Sequence, residues 1–426
     1  MCIRDRHIPG KKELTEKSEL LHLMPKKEVY IPLVAGRTLD FDILVEEGDT
    51  VSVGTKLAET KSGFYVPIYS SVSVTYKGIV KRMHNSLRPQ NHMVIECDFK
   101  QTKVQSFAPL DWQSASREEC VDFVKNAGIV GLGGAGFPTY VKYMKPDGVD
   151  YVLINAVECE PYITADYRSV MDDAQDLVTG AKIMKKMAEA KTVYICIKES
   201  HPDLIEKVKS SLNDAAGVEV RPVPDVYPMG WERVLVREVL HKEYGGLPAE
   251  AGAIIGNASS AIAIAKAFEK GEAITQKNLT VSGECVKNPH NVCVPVGMPV
   301  SEIIEACGGY TQDTVRLISG GPMMGKTIVN DMFVVDRAMN ALTVLPAAND
   351  DAIACLRCGK CSDHCPSGLQ PVRITAALKA NDVDEMSKRG VMSCIECGMC
   401  TYICPSHIDV TENVRKAKRI VMLKKK

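Results

Sequence analysis

The sequence predicts a multidomain α/β protein, and three observations carry that prediction. Short glycine-broken strands open the chain, strands alternate with helical stretches through its middle, and eight of its sixteen cysteines crowd into residues 355–404. A length of 426 residues suits two to four domains, each able to bury its own core. The chain divides into a leader (1–6), an N-terminal β module (7–110), an α/β domain (111–270), a small β-rich domain (271–345), a cysteine module (346–410) and a basic tail (411–426).

Met1-Cys2-Ile3-Arg4-Asp5-Arg6 is what a common sequencing-library adaptor encodes when translated, so it reads as non-native, with the true N-terminus missing. Residues 28–80 hold the first strands: Val45–Thr55 is a turn-rich hairpin pattern, and Val66-Pro67-Ile68 to Val80 supplies a second set. The pattern is similar to barrel-sandwich domains that carry biotin or lipoate. Without a Met-Lys-Met or Asp-Lys-Ala tip for attaching such a group, a structural module is expected. Ser116 with Glu119 makes a capping box for a helix through Asn126. Strands at 151–154, 192–197 and 218–220 alternate with helices over 170–190 and 202–214, which implies βαβ units and a mostly parallel sheet. Leu279–Glu284 begins the small β-rich domain, with one helix near 299–307, and 411–423 reads as a basic final helix.

Several function classes fall away on composition. A net charge of -1 gives no reason to expect nucleic-acid binding. No apolar run approaches the roughly 18–20 residues that span a bilayer, and no secretory signal is visible. Cys2, Cys97, Cys120, Cys159, Cys196, Cys285, Cys293 and Cys307 are scattered, mostly among apolar neighbours, and read as buried small hydrophobes rather than a disulfide framework. A reducing, cytoplasmic compartment follows, with the cytoplasmic face of the cell membrane reached through a partner or the basic tail.

The remaining cysteines are the strongest signal. Cys355, Cys358, Cys361 and Cys365-Pro366 are followed by Cys394, Cys397, Cys400 and Cys404-Pro405, each run spaced C-x2-C-x2-C-x3-C-P. That spacing wraps three thiolates around one cubane and sends the fourth to the other cluster. The expected sets are Cys355, Cys358, Cys361 and Cys404 for one [4Fe–4S] cluster, and Cys394, Cys397, Cys400 and Cys365 for the second. Zinc also takes C-x2-C pairs, but gives no reason for a third cysteine at the same spacing, twice. Gly359 and Gly398 let the backbone turn beside the sulfurs.

Gly131-Leu132-Gly133-Gly134-Ala135-Gly136-Phe137-Pro138-Thr139 contains G-x-G-x-x-G, but the segment before it is helical, so an ordinary Rossmann site is not implied. Pro138 suits the first turn of a following helix, on whose free N–H groups an anion could sit; a packing turn is the plain alternative. After the strand at 151–154 comes Asn155-Ala156-Val157-Glu158-Cys159-Glu160-Pro161-Tyr162. It places acidic residues where α/β sheets bind ligands, unless it is a solvated loop.

Taken in order, Gly131–Thr139, Asn155–Tyr162 with Thr164-Ala165-Asp166-Tyr167-Arg168, Gly320-Gly321-Pro322-Met323-Met324-Gly325 and the paired cysteine runs resemble the RnfC family, a component of Rnf-type electron-transport complexes. The resemblance runs from about residue 28 to the C-terminal module. The middle domain is similar to the flavin- and NADH-binding subunit of respiratory complex I. Lys287-Asn288-Pro289 and Cys307-Gly308-Gly309 resemble the soluble-ligand-binding β-grasp domain that follows it. The resemblance implies FMN at Gly131, Gly133, Lys142, Asn155, Glu158, Gly230, Glu232, Asn257 and Ser260. It places Glu160 and the loop Gly133, Gly134, Gly136 and Phe137 toward the nicotinamide nucleotide. It further implies an NADH-linked oxidoreductase subunit that passes electrons singly through two clusters, with no catalytic proton-transfer residues. Its partners would be other electron-transfer subunits, ferredoxin, or a proline (amino-acid) reductase, as in the related electron-transfer protein of amino-acid-fermenting anaerobes. Met229 and Trp231 stand where the family more often carries Gln and Gly, and Gly256-Asn257-Ala258-Ser259-Ser260 replaces the usual Asn-Asn-Val-x-Thr. These departures leave a rival of another class, a flavin-less iron–sulfur adaptor.

Overall fold

The N-terminal strands alternate apolar and polar residues, and the alternation builds two facing sheets. Glu28–Pro32, Thr50–Val51, Val74–Met83 and Pro89–Cys97 pair antiparallel into one; Phe41–Ile43, Lys56–Thr60 and Pro67–Tyr69 form the other. Val29, Ile31, Leu57, Met93 and Ile95 fill the space between them. The structure, a computed structural model, describes residues 7–213, 215–347 and 351–424; the leader at 1–6 and Lys425 and Lys426 of the tail lie outside the described residues.

His92 sits in this module with no exposed surface. Its Nδ1 faces the Gln90 carbonyl at 2.9 Å, and its Nε2 has no partner among the described residues. A proton on Nε2 would bury a charge, so burial lowers the His92 pKa to about 4. The unfolded chain therefore takes up that proton first, and stability drains as pH falls from the ordinary histidine range toward 4. Between pH 7 and 5 the loss is expected to be about 2 kcal/mol. Urea unfolding of wild type and His92→Gln at the two pH values checks it: the variant should lose that much less.

The central strands are near-continuous apolar runs, as expected of strands covered by helices on both faces. Val218–Val223, Thr192–Lys198, Tyr151–Ala156 and Ala253–Asn257 lie parallel in that order, which is 3-2-1-4 in chain order. Helix Arg117–Asn126 starts at the Ser116–Glu119 capping box read from the sequence. The single helix expected over 170–190 is two, Ala165–Asp172 and Ala174–Ala188, broken at Asp173. Helix Glu232–Leu240, strand Ala253–Asn257 and helix Ala258–Lys270 were not assigned from sequence. In the last, alternating alanines blur the period that marks a helix face. Gly180 lets that helix pack close, since a Cβ there would lie 2.0 Å from the Ala261 carbonyl oxygen.

The third sheet is mixed and six-stranded, in the order Leu20–His22, His290–Pro295, Gln276–Ser282, Ala341–Pro346, Val315–Ser319, Lys326–Ile328. Its outer strand comes from the start of the chain and runs parallel to His290–Pro295. Helix Val300–Ala306 covers the sheet. In the C-terminal module, helices Pro371–Lys379, Val383–Lys388 and Val410–Lys424 bury Ile374, Met386, Val414 and Ala417 together, with the cysteine runs against them. The basic last helix turns some of its charge inward: Arg415 and Lys418 reach Glu396 at 3.2 and 2.9 Å. No helix among the described residues is long and apolar enough to cross a membrane. Cys97, Cys120, Cys196, Cys285, Cys293 and Cys307 are buried free thiols, as their apolar surroundings implied.

Candidate functional site

The strand order reverses between Tyr151–Ala156 and Ala253–Asn257, and open α/β sheets bind ligands outside the carboxyl ends at such a point. Asn155 and Asn257, register partners, end those two strands side by side. The glycine loop lies over them. It closes on itself through Gly131 N–H to Phe137 O (2.8 Å) and Gly136 N–H to Gly131 O (2.9 Å). Ser260 Oγ accepts the Leu132 N–H at 2.9 Å and so ties the loop to helix Ala258–Lys270, whose N-cap is Asn257. A Cβ on Gly133 would fall 2.6 Å from Asn257 Nδ2, and one on Gly230 would fall 3.2 Å from Cys159 Sγ. Glycine at both positions keeps the floor of a cradle clear.

Polar groups converge on that floor. Lys142 Nζ bonds the Ile255 carbonyl at 2.8 Å and Glu232 at 3.2 Å; Asn155 Nδ2 donates to the Gly230 carbonyl at 2.7 Å. Gly131, Gly133, Lys142, Asn155, Gly230, Glu232, Asn257 and Ser260, far apart in sequence, thus meet at one switch point. A fixed ammonium, two carboxamides and a side-chain-free floor suit a flavin nucleotide's phosphate and ring edge. The departures at 229 and 231 do not obstruct it: Met229 is buried in the core beneath, and Trp231 packs toward the cysteine module. The helix expected after the loop does not form. Pro138 is extended and leads into a five-residue 3-10 turn, Thr139–Tyr143, because the Thr139 N–H is already bonded to Ile129 O at 2.9 Å.

The loop after Asn155 is not solvated. Glu158, at φ +46°, accepts the Asp166 and Tyr167 N–H groups (2.7 and 3.2 Å) at the start of helix Ala165–Asp172, and burial raises its pKa to about 7. Lys12 reaches in from the chain's start and donates to the carbonyls of Glu158 (2.8 Å), Glu160 (2.7 Å) and Ile163; burial lowers its pKa to about 8. Sequence reading missed Lys12, and no local spacing could mark a partner more than a hundred residues away. Glu160, expected toward the nicotinamide nucleotide, is turned elsewhere. Its carboxylate accepts the Met323 and Met324 N–H groups (2.7 and 3.0 Å) beneath the Gly320–Gly325 loop, facing the cysteine module.

There the domains join. Tyr227 OH donates to the Cys397 carbonyl at 2.6 Å, and Ile395, Cys397 and Met399 pack with Tyr227, Cys159, Trp231 and Met323. The two cysteine runs repeat one conformation: Arg357 and Glu396 both have φ near +55°, their N–H groups lie 3.4 Å from Cys355 Sγ and Cys394 Sγ, and Gly359 and Gly398 both sit at φ +78°. Cys365, Cys394, Cys397 and Cys400 line a single cavity of about 20 Å³. Burial pushes the thiols of Cys394, Cys397 and Cys400 up, and Cys365 adds to the effect on all three. On Cys361 burial again dominates, with Cys355 and Cys358 contributing. Among the described residues no three such side chains converge on a single ion position. Four thiols around a cavity fit a cubane rather than a lone zinc. Cys397 is buried at the junction, whereas Cys355 and Cys358 are exposed.

Comparison with known proteins agrees with this layout. Residues 5–100 match the RnfC barrel sandwich hybrid domain, 124–266 the Nuo51 FMN-binding domain, 278–327 the SLBB domain and 347–405 a 4Fe-4S dicluster domain. The C subunit of the Na(+)-translocating ferredoxin:NAD(+) oxidoreductase complex of Acetobacterium woodii is 34% identical, over 99% of this chain and 97% of that one. Its proton-translocating counterpart in Clostridium ljungdahlii is 33% identical, over 85% and 80%. The C subunit of the ion-translocating oxidoreductase complex of Rhodobacter capsulatus is 33% identical, over 91% and 76%. A chain of an NAD+-reducing [NiFe]-hydrogenase in the H2-reduced state shares the fold with a TM-score of 0.51 at 15% identity, over 73% of this chain and 63% of that one. By these matches the chain belongs to the RnfC family, the C subunits of the Rnf-type ion-translocating ferredoxin:NAD(+) oxidoreductase complexes.

Proposed function

We propose that the chain exchanges electrons with NAD(H) at the switch-point cradle and relays them singly through two [4Fe–4S] clusters to other subunits of an Rnf-type complex or to ferredoxin. It would sit peripherally on the cytoplasmic face of the membrane. The observation that carries this reading is the Tyr227–Cys397 contact, which joins the segment leading into Gly230 and Glu232 directly to a cluster-ligand loop. FMN, when bound, supplies the conversion between a two-electron hydride and single electrons.

The chain's own residues do the rest. Gly131, Gly133, Lys142, Asn155, Gly230, Glu232, Asn257 and Ser260 hold the flavin, with Glu158 fixing the loop beside it. Lys142, pinned by Glu232 and the Ile255 carbonyl, is a preorganised cation that need not reorganise when a phosphate arrives. Gly134, Gly136 and Phe137 line the nucleotide's approach. Cys394, Cys397, Cys400 and Cys365 hold the inner cluster; Cys355, Cys358, Cys361 and Cys404 hold the outer one. N–H groups aimed at Cys355, Cys365 and Cys394 sulfurs tune their potentials. Exposure of Cys355 and Cys358 makes the outer cluster the exit to the partner.

Anaerobic cofactor extraction with an NADH titration tests this. Bound FMN, about eight irons per chain and NADH-driven bleaching of the clusters are expected. Tyr227→Phe should keep NADH-driven ferricyanide reduction at the flavin but slow cluster bleaching. Iron and sulfide without flavin would overturn the reading in favour of an adaptor, and a partner that copurifies as an amino-acid reductase would replace the complex assigned to it.

A further inference from the structure

Two phenyl rings stand well out of their domains where the glycine loop ends, and they come from different parts of the chain. Phe137 closes the glycine loop and is 37% exposed; Phe64, from the turn between Thr60 and Val66 of the N-terminal module, is 48% exposed. Their centroids lie 5.5 Å apart with planes at 76°, an edge contact that leaves ring faces uncovered. The turn that carries Phe64 is firmly held. Thr60 Oγ1 donates to the Phe64 carbonyl (3.0 Å) and accepts the Val66 N–H (3.0 Å). The Tyr65 N–H donates to Tyr140 OH at 3.1 Å, in the short turn that follows the glycine loop. Val66 is buried in the core of the central domain. The residues on either side of Phe64 thus lock the N-terminal module onto the central domain, yet the Phe64 ring itself is left half in water. Beside it, Gly134 at φ +108° has open space where a side chain would begin.

We infer that Phe64 is a wall of the nucleotide cleft supplied by the N-terminal module, stacking on the adenine ring of NADH. This rests on reading the cradle as a nicotinamide-dinucleotide site. A dinucleotide whose nicotinamide reaches the Asn155–Asn257 cradle carries a second aromatic ring some distance off, along the glycine loop. A rigidly mounted, half-exposed phenyl at the loop's end is a surface that such a ring covers. A π face accepts a base without hydrogen-bond matching, and its loss weakens binding about tenfold. The N-terminal module is therefore a part of the substrate site and not only a scaffold.

The test compares ligands with and without adenine on the full, cofactor-loaded chain. Equilibrium binding of NAD+ and of nicotinamide mononucleotide is measured for wild type, Phe64→Ala, Phe64→Leu and Phe64→Tyr, with KM and kcat for NADH alongside. Phe64→Ala and Phe64→Leu should weaken NAD+ binding and raise the KM for NADH about tenfold, with kcat and mononucleotide binding unchanged; Phe64→Tyr should match wild type. The leucine variant keeps apolar bulk at the domain contact, so it reports even where alanine unfolds the turn. Unchanged NAD+ affinity in Phe64→Leu, or equal weakening of both ligands, overturns the inference while leaving the cradle standing. A wild type that binds neither NAD+ nor the mononucleotide overturns the cradle reading and this inference with it.

Discussion

Replacing Cys365 with alanine is expected to destroy the cluster of the other cysteine run. Cys365 closes the first run in sequence, but it lines a cavity with Cys394, Cys397 and Cys400 and adds to the upward shift of all three thiols. Iron should fall from about eight to about four per chain, with acid-labile sulfide falling in step. The four irons that remain belong to the set containing Cys355 and Cys358, which are exposed, so an iron chelator should strip them quickly. NADH-driven reduction of any acceptor beyond the clusters should drop by at least about a hundredfold, since single-electron transfer would have to bridge the missing inner centre. Ferricyanide reduction at the flavin should persist. Chelator-resistant iron in the variant would mean that the buried cluster survived and that each run binds its own four-cysteine cage.

What the sequence made legible was what lies close along the chain. The cysteine spacing, the capping box at Ser116 and Glu119, and the strand at Tyr151–Ala156 are local patterns, and each formed where its residues stand. The glycine loop was visible, but the structure that follows it was not. Pro138 suits a helix start, yet the Thr139 N–H is taken by Ile129 O across the loop, and a helix never gains its first turn. Likewise Leu20–His22 is too short to read as a strand and exists because His290–Pro295 offers it an edge. The orientation of Glu160 is a long-range outcome of the same kind. Two N–H groups of a loop more than 150 residues away outcompete the cleft for its carboxylate. Lys12 shows the limit most clearly. An ordinary lysine near the start of the chain becomes the donor to three carbonyls of the loop between the cradle and the cluster junction.

Enlarging Gly133 to valine should empty the flavin cradle and leave the iron in place. The first added carbon would sit 2.6 Å from Asn257 Nδ2 and 2.9 Å from its Cγ. Asn257 cannot swing aside freely. Its Nδ2 donates to Asp166 at 2.6 Å and its Oδ1 caps the helix by accepting the Ser260 N–H at 3.3 Å. Either the cap is broken, at about 1 kcal/mol, or the loop lifts and the added methyl groups occupy the space above the strand ends. Overpacking of this kind costs about 1–3 kcal/mol, which a chain of this size can absorb without unfolding, whereas a ligand denied its floor has nowhere else to lie. FMN content should fall more than about tenfold, with iron and sulfide at wild-type levels and Gly133→Ala in between. The two readouts separate the alternatives. Flavin retained in Gly133→Val would move the flavin away from the switch point. Iron lost together with flavin would show that the glycine loop supports the whole assembly rather than the cradle alone.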